Sequence, residues 1–189
     1  PIYWAGDYKI VDQNGDGVID LKDRTIIGNP NPDFVYGMNL ELSYKNLSLR
    51  VLANGVYGND IANGNLLQLA TPEGISWSNI TNAAYNNAWR PESPSNSYPR
   101  IGYTTNGMTA VPDWIIEDGS FLRISNINLS YQFDKVNIYL SAQNLFTFTG
   151  YSGYNPEVTS FLYDGLRNGV DWNGQPSARK FTIGLNFNL

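Results

Sequence analysis

The sequence holds no cysteine and no histidine among its 189 residues. The first absence excludes a disulfide framework, a thiol nucleophile and a thiolate metal site. The second excludes an imidazole base, a Ser-His-Asp triad and a His-ligated zinc. Charge is scarce as well: Asp, Glu, Lys and Arg make up 15%, against about 25% in a typical soluble domain. The net charge is -5 and no cluster of Lys and Arg forms a phosphate footprint, which argues against nucleic acid as a partner. No apolar run reaches the roughly 20 residues of a transmembrane helix. What remains is carboxylate, hydroxyl, amide and aromatic chemistry. Aromatics reach 14%, with 13 Tyr, and there are 18 Gly. Few charges beside many aromatics and glycines lean towards an all-β fold.

Period-2 alternation then fills the chain. Phe34, Tyr36, Met38, Leu40, Leu42 and Tyr44 alternate with Val35, Gly37, Asn39, Glu41 and Ser43. After Lys45-Asn46 the apolar parity resumes on Leu47, Leu49, Val51, Ala53 and Tyr57. A third run sets Ile127, Leu129, Tyr131 and Phe133 against Asn126, Asn128, Ser130 and Gln132. After Asp134-Lys135 a fourth runs from Val136 to Phe148, and a fifth carries Phe181, Ile183, Leu185, Phe187 and Leu189. These runs predict two hairpins, 34–58 and 120–148, and a last strand within 178–189.

A soluble sandwich also alternates in and out. Against it, the predicted strands are of transmembrane length, about 9–11 residues, where globular strands average about 5–6. The connections alternate between two-residue turns and the long stretches 59–119 and 149–177, which is out of place in a compact sandwich. Short periplasmic turns and long extracellular loops are the build of an outer-membrane barrel, and the neutral polar face of Asn, Ser, Gln and Thr suits a watery lumen. The fold expected is all-β: the C-terminal five antiparallel strands of a large transmembrane β-barrel with long extracellular loops, entered from an extracellular segment 1–33. Five strands with two bare edges imply an N-terminal remainder of the barrel that pairs with them. A soluble calcium-dependent carbohydrate-binding β-sandwich is the alternative, with a secreted hydrolase fragment more remote.

Residues 12–23 have EF-hand spacing: Asp12, Asn14, Asp16, Asp20 and Asp23 at positions 1, 3, 5, 9 and 12, Gly17 at the sharp turn and the Val18 carbonyl at position 7. Asp replaces the usual Glu at position 12. The expectation is a structural Ca2+ that neutralises the clustered carboxylates. The competing reading is an Asn-Gly and Asp-Gly turn with solvated side chains.

Several stretches resemble one family in order along the chain: Gly6-Asp7-Tyr8-Lys9, Ile27-Gly28-Asn29-Pro30-Asn31-Pro32 leading to Tyr36-Gly37, and Ser43-Tyr44-Lys45-Asn46. They continue with Glu117-Asp118-Gly119-Ser120-Phe121-Leu122-Arg123, Tyr139 to Thr147, Tyr151 to Glu157 and the closing Phe181 to Leu185. Together they are similar to the C-terminal part of a SusC/RagA-type TonB-dependent outer-membrane transporter of the Bacteroidetes kind. That resemblance implies a plugged barrel of about 22 strands. It also implies a plug and a TonB-contacting part outside this chain, a SusD-type lipoprotein lid, and uptake of oligosaccharides or peptides across the outer membrane.

In the long loop, Trp77, Tyr85, Trp89, Tyr98, Tyr103 and Trp114 stand amid Asn, Ser and Pro. They suit contact with ligand or lid, or packing of the loop on itself and anchorage of the rim. Glu117-Asp118 are adjacent and lack the constellation of a glycosidase pair, so no enzyme is expected. Glu41 and Arg50 face the lumen by parity as a structural pair.

Overall fold

A computed structural model describes residues 4–70, 79–101, 111–158 and 168–187. Its strands are β1 (Phe34–Tyr44), β2 (Leu47–Tyr57), β3 (Asp60–Asn63), β4 (Ala88–Trp89), β5 (Tyr98–Arg100), β6 (Ile116–Asp118), β7 (Phe121–Gln132), β8 (Val136–Thr149), β9 (Val170–Asp171) and β10 (Lys180–Phe187). Two short helices, α1 (Gly64–Ala70) and α2 (Asn82–Asn87), lie between β2 and β7. Neither is long and apolar enough to cross a membrane, which says nothing of crossing by strands. By its contacts the chain divides into two compact units, Pro1–Gly28 with Ala62–Ile116 and Asn29–Ile61 with Glu117–Leu189.

The second unit holds a five-stranded antiparallel sheet in the order β1-β2-β7-β8-β10, open at β1 and β10. Register turns the sequence alternation into ladders that cross the whole sheet. Leu40, Val51, Ile127, Ala142 and Phe181 form one apolar row, and Leu42, Leu49, Leu129, Leu140 and Ile183 form the next. Between them runs a polar row of Glu41, Arg50, Asn128, Ser141 and Thr182 on the opposite face. Every residue of β1 is exposed, and so are Leu140, Phe181, Ile183 and Leu185. A soluble sandwich would bury one of these faces under a second sheet of similar size, whereas the other sheets of the described residues, β6-β3-β9 and β4-β5, are short and β1 is exposed throughout.

Aromatic rings gather at both ends of the apolar face. Tyr44, Tyr131, Phe133 and Phe187 stand near the two tight turns; Phe34, Tyr36, Tyr57, Phe146 and Phe148 stand at the loop end. Phe34 stacks on Tyr57 at 5.1 Å and Tyr131 meets Phe133 at 4.6 Å. Aromatic belts bounding an apolar band are what two membrane interfaces select.

Two close approaches fix the sheet locally. Tyr36 lies over its cross-strand partner Gly55 and donates its hydroxyl to the Phe121 carbonyl at 2.9 Å; Tyr139 likewise covers its partner Gly184. A Cβ on either glycine would collide with the covering ring. On β7 the register shifts between Ile124 and Asn126, opposite a left-handed Asn144 (φ 52°) on β8. This bulge at Ser125 reverses parity, so Arg123 joins Asn54 and Thr147 on the polar face.

Candidate functional site

The tight turns, Lys45-Asn46 and Asp134-Lys135, close one end of the sheet, and the long connections all leave from the other. At that loop end the parity reversal carries Arg123 inward, where its side chain is buried. Nε donates to Thr147 Oγ1 at 3.0 Å, Nη2 donates to Asn155 Oδ1 at 2.6 Å, and Nη1 donates to the Glu157 carboxylate. The guanidinium also lies over the Phe121 ring at 5.5 Å. Asn54 Nδ2 reaches the other Glu157 oxygen at 3.4 Å. A planar fork with several fixed donors is suited to binding two acceptors at once. One side chain thereby ties the segment after β8 back onto β7 and β8.

A second tie lies beside it. Tyr151 donates its hydroxyl to Asp171 Oδ2 at 2.6 Å, and the Gly174 amide donates to Oδ1 at 3.0 Å; both Tyr151 and Asp171 are buried. Burial, together with the adjacent Asp171 carboxylate, holds the Tyr151 phenol well above its ordinary range and so keeps it a donor. Asn155 Nδ2 donates to Ser177 Oγ at 3.1 Å, and Ser152 donates twice to Glu117 at 2.8 Å. At the base of the loop the Ser120 hydroxyl and amide lower the Asp118 carboxyl below its usual value.

In the other unit, the loop 12–23 is closed by its own side chains. Asp12 accepts from the Gly15 and Gly17 amides at 2.7 and 2.8 Å, Asn14 from Asp16, Asp16 from Val18, and Asp23 from Gln13 and Asp20. Asp20 caps the short turn Leu21–Asp23. The Asp20 amide, with those of Gln13 and Asn14, lowers the Asp23 carboxyl. Among the described residues no three acidic side chains are gathered as a metal cage. The donor set of carboxylates, one amide and one carbonyl still fits calcium in kind and spacing.

Of the loop aromatics, Trp77 and Tyr103 lie outside the described residues. Trp89 packs its ring against Gly6, and Trp114 stacks on Tyr8 at 5.5 Å. Tyr98 lies in β5, paired with Ala88, and Tyr85 is exposed under the Arg90 guanidinium at 5.1 Å. A buried Asp7 binds Arg100 at 2.6 Å, so the residues around Gly6 are held by the long loop. Glu41 and Arg50 do pair across the hairpin at 3.0 Å, mostly exposed. Sequence reasoning gave no role to Arg123, Tyr151 or Asp171, although the stretches around the first two carried the family resemblance.

No family model matches the chain. Among curated proteins it is 32% identical over 96% of its length to TonB-dependent receptor P3 of Formosa agariphila, and 32% identical over 93% of its length to TonB-dependent receptor SusC of Bacteroides thetaiotaomicron. The RagAB peptide transporter matches 95% of the chain with a TM-score of 0.70 at 22% identity, which speaks to the fold. The chain belongs to the SusC/RagA-type TonB-dependent receptors. It spans about a fifth of the length of the curated receptors it matches. Such receptors are outer-membrane β-barrels, so the five strands are a section of barrel wall and the open edges are where the wall continues. The apolar ladders then face lipid and the amide-rich ladders face the lumen. Relatives of this receptor segment are receptors and transporters rather than enzymes.

Proposed function

We propose that the chain forms part of the wall and outer mouth of a TonB-dependent importer that takes up oligosaccharides or peptides together with a SusD-type lipoprotein lid. The observation that carries this reading is the two-faced sheet: uninterrupted apolar ladders outward, neutral amide ladders inward, and every long loop at one end. A lumen face of Asn, Ser, Gln and Thr, on which Glu41 is paired with Arg50 and Arg123 with Glu157 and Lys180 stands opposite Gln143, hydrates a passing solute with little net charge to trap it. The strapped loops give a lid a fixed rim. Motive force would come through TonB and the plug, from parts of the receptor beyond these residues.

The test is uptake by intact cells. Deleting the receptor gene should abolish growth on the nutrient whose uptake its lid partner serves, restoration should require a functional TonB, and the receptor should fractionate with the outer membrane. A receptor recovered folded in the soluble fraction would overturn the reading.

We further propose that loop 12–23 takes up Ca2+ through Asp12, Asn14, Asp16, the Val18 carbonyl, Asp20 and Asp23, tightening the extracellular segment. Calcium at millimolar concentration should slow proteolysis between residues 10 and 24 of the intact receptor, and Asp16→Ala should remove that protection. Equal cleavage with calcium and with chelator would contradict it.

A further inference from the structure

The two loop segments after β8 and before β10 are joined at two points, Tyr151 to Asp171 and Asn155 to Ser177. Tyr154 lies between the ties on one segment; Trp172 lies between them on the other. Tyr154 is 77% exposed and Trp172 47% exposed, although the residues beside them, Asp171 and Asn155, are held by hydrogen bonds. Chain folding therefore presents two large flat rings outward on backbone that is already fixed. Such rings lose little further entropy when they meet a ligand.

The surrounding charge narrows the ligand. Among the described residues of 150–158 and 168–178 the charged side chains are Glu157 and Asp171. Glu157 is engaged by Arg123, and Asp171 is 2% exposed and bonded to Tyr151 and Gly174. What the described parts of the segments expose is aromatic surface at Tyr154 and Trp172 and the amide of Gln175. A peptide brings charged termini and side chains whose capture calls for opposite charges or an extended backbone partner. A neutral sugar ring brings an apolar C–H face that covers an aromatic ring, and hydroxyls that amides can pair.

We propose that Tyr154 and Trp172 form an aromatic seat for an uncharged oligosaccharide at the outer mouth. The seat rests on the importer reading above and selects one of its two substrate classes. Either ring alone covers one sugar face, and the two ties join the segments that carry them.

The test uses the full-length receptor with its lid in detergent, probed with a panel of uncharged α- and β-linked glucans, fructans and mannans and, separately, with a tryptic peptide mixture. At least one oligosaccharide should bind. Tyr154→Ala and Trp172→Ala should each weaken it by about tenfold, the scale of one lost ring contact, and Trp172→Leu, which keeps apolar bulk without a flat ring, should weaken it similarly. Tyr154→Phe should bind as the wild type does. Heat-modifiable migration of each variant confirms a folded barrel, and Trp172→Leu and Tyr154→Phe carry the test if the alanine forms fail to fold. Capture of peptides and no oligosaccharide, or unchanged binding by the ring-less variants, would overturn the seat. TonB-dependent uptake in cells with those same results would leave the importer reading standing, whereas loss of outer-membrane fractionation would sink the importer reading itself.

Discussion

Replacing Arg123 by methionine would keep most of the side chain's length and remove all of its donors. Glu157 and Asn155 would then lose the group that holds them, but the Glu157 side chain is 42% exposed and can rehydrate. The cost expected is therefore about 1–3 kcal/mol, that of lost hydrogen bonds, rather than the roughly 3–5 kcal/mol of a fully buried pair. Hydrogen exchange of the intact receptor should show faster exchange in 150–158 with the strands unchanged. Tyr151→Phe should act similarly on 168–174, because among the described residues buried Asp171 would keep the Gly174 amide alone. The Asp118 carboxyl has the opposite sign logic from a raised group. Being lowered, its contribution is present above the usual value of 3.8 and fades as pH falls through the lowered one. Ser120→Ala should thus loosen the loop base at neutral pH, and the part of the difference from wild type that runs through Asp118 should vanish in strong acid, leaving only the loss of the Gly58 amide bond to the Ser120 hydroxyl. The partners of Arg123 and Tyr151 were not legible in the sequence. Asn155 and Glu157 stand 32 and 34 residues beyond Arg123, and no periodicity joins positions that far apart.

At the scale of strands, the two-fold alternation was readable because each face meets one uniform environment over a whole row. The bulge at Ser125 was not readable: it adds one residue without a glycine to mark it, the left-handed position being Asn144. The calcium spacing is explicit in Asp12 to Asp23, whereas the self-closing amide bonds of that loop depend on backbone geometry. The glycines under Tyr36 and Tyr139 make a sharper prediction. Gly184→Ala should place a methyl against the Tyr139 ring and destabilise the receptor by about 1–3 kcal/mol, the range of overpacking, read as a lower urea midpoint in detergent. Adjacent positions on β8 should differ in kind: Leu140→Arg, on the apolar ladder, should cost about 2–4 kcal/mol if it sits near the bilayer midplane. Ser141→Arg, one residue on and facing the lumen, should leave assembly intact.

For the whole molecule, the composition that looks like that of a mild acidic domain is divided between two solvents. Low charge follows from strands with one face in lipid and the other in a neutral lumen, and the absence of cysteine leaves the chain open to single-site labelling. The most direct test of the two-faced wall is therefore a scan of single cysteines from Val136 to Gln143 in the full-length receptor, otherwise cysteine-free and reconstituted in lipid. Each would be spin-labelled and read by relaxation with oxygen, which concentrates in lipid, and with a polar nickel complex, which stays in water. A two-faced wall gives strict alternation, with oxygen dominant at 136, 138, 140 and 142 and nickel dominant at 137, 139, 141 and 143. Equal access of the nickel complex to both sets would contradict it.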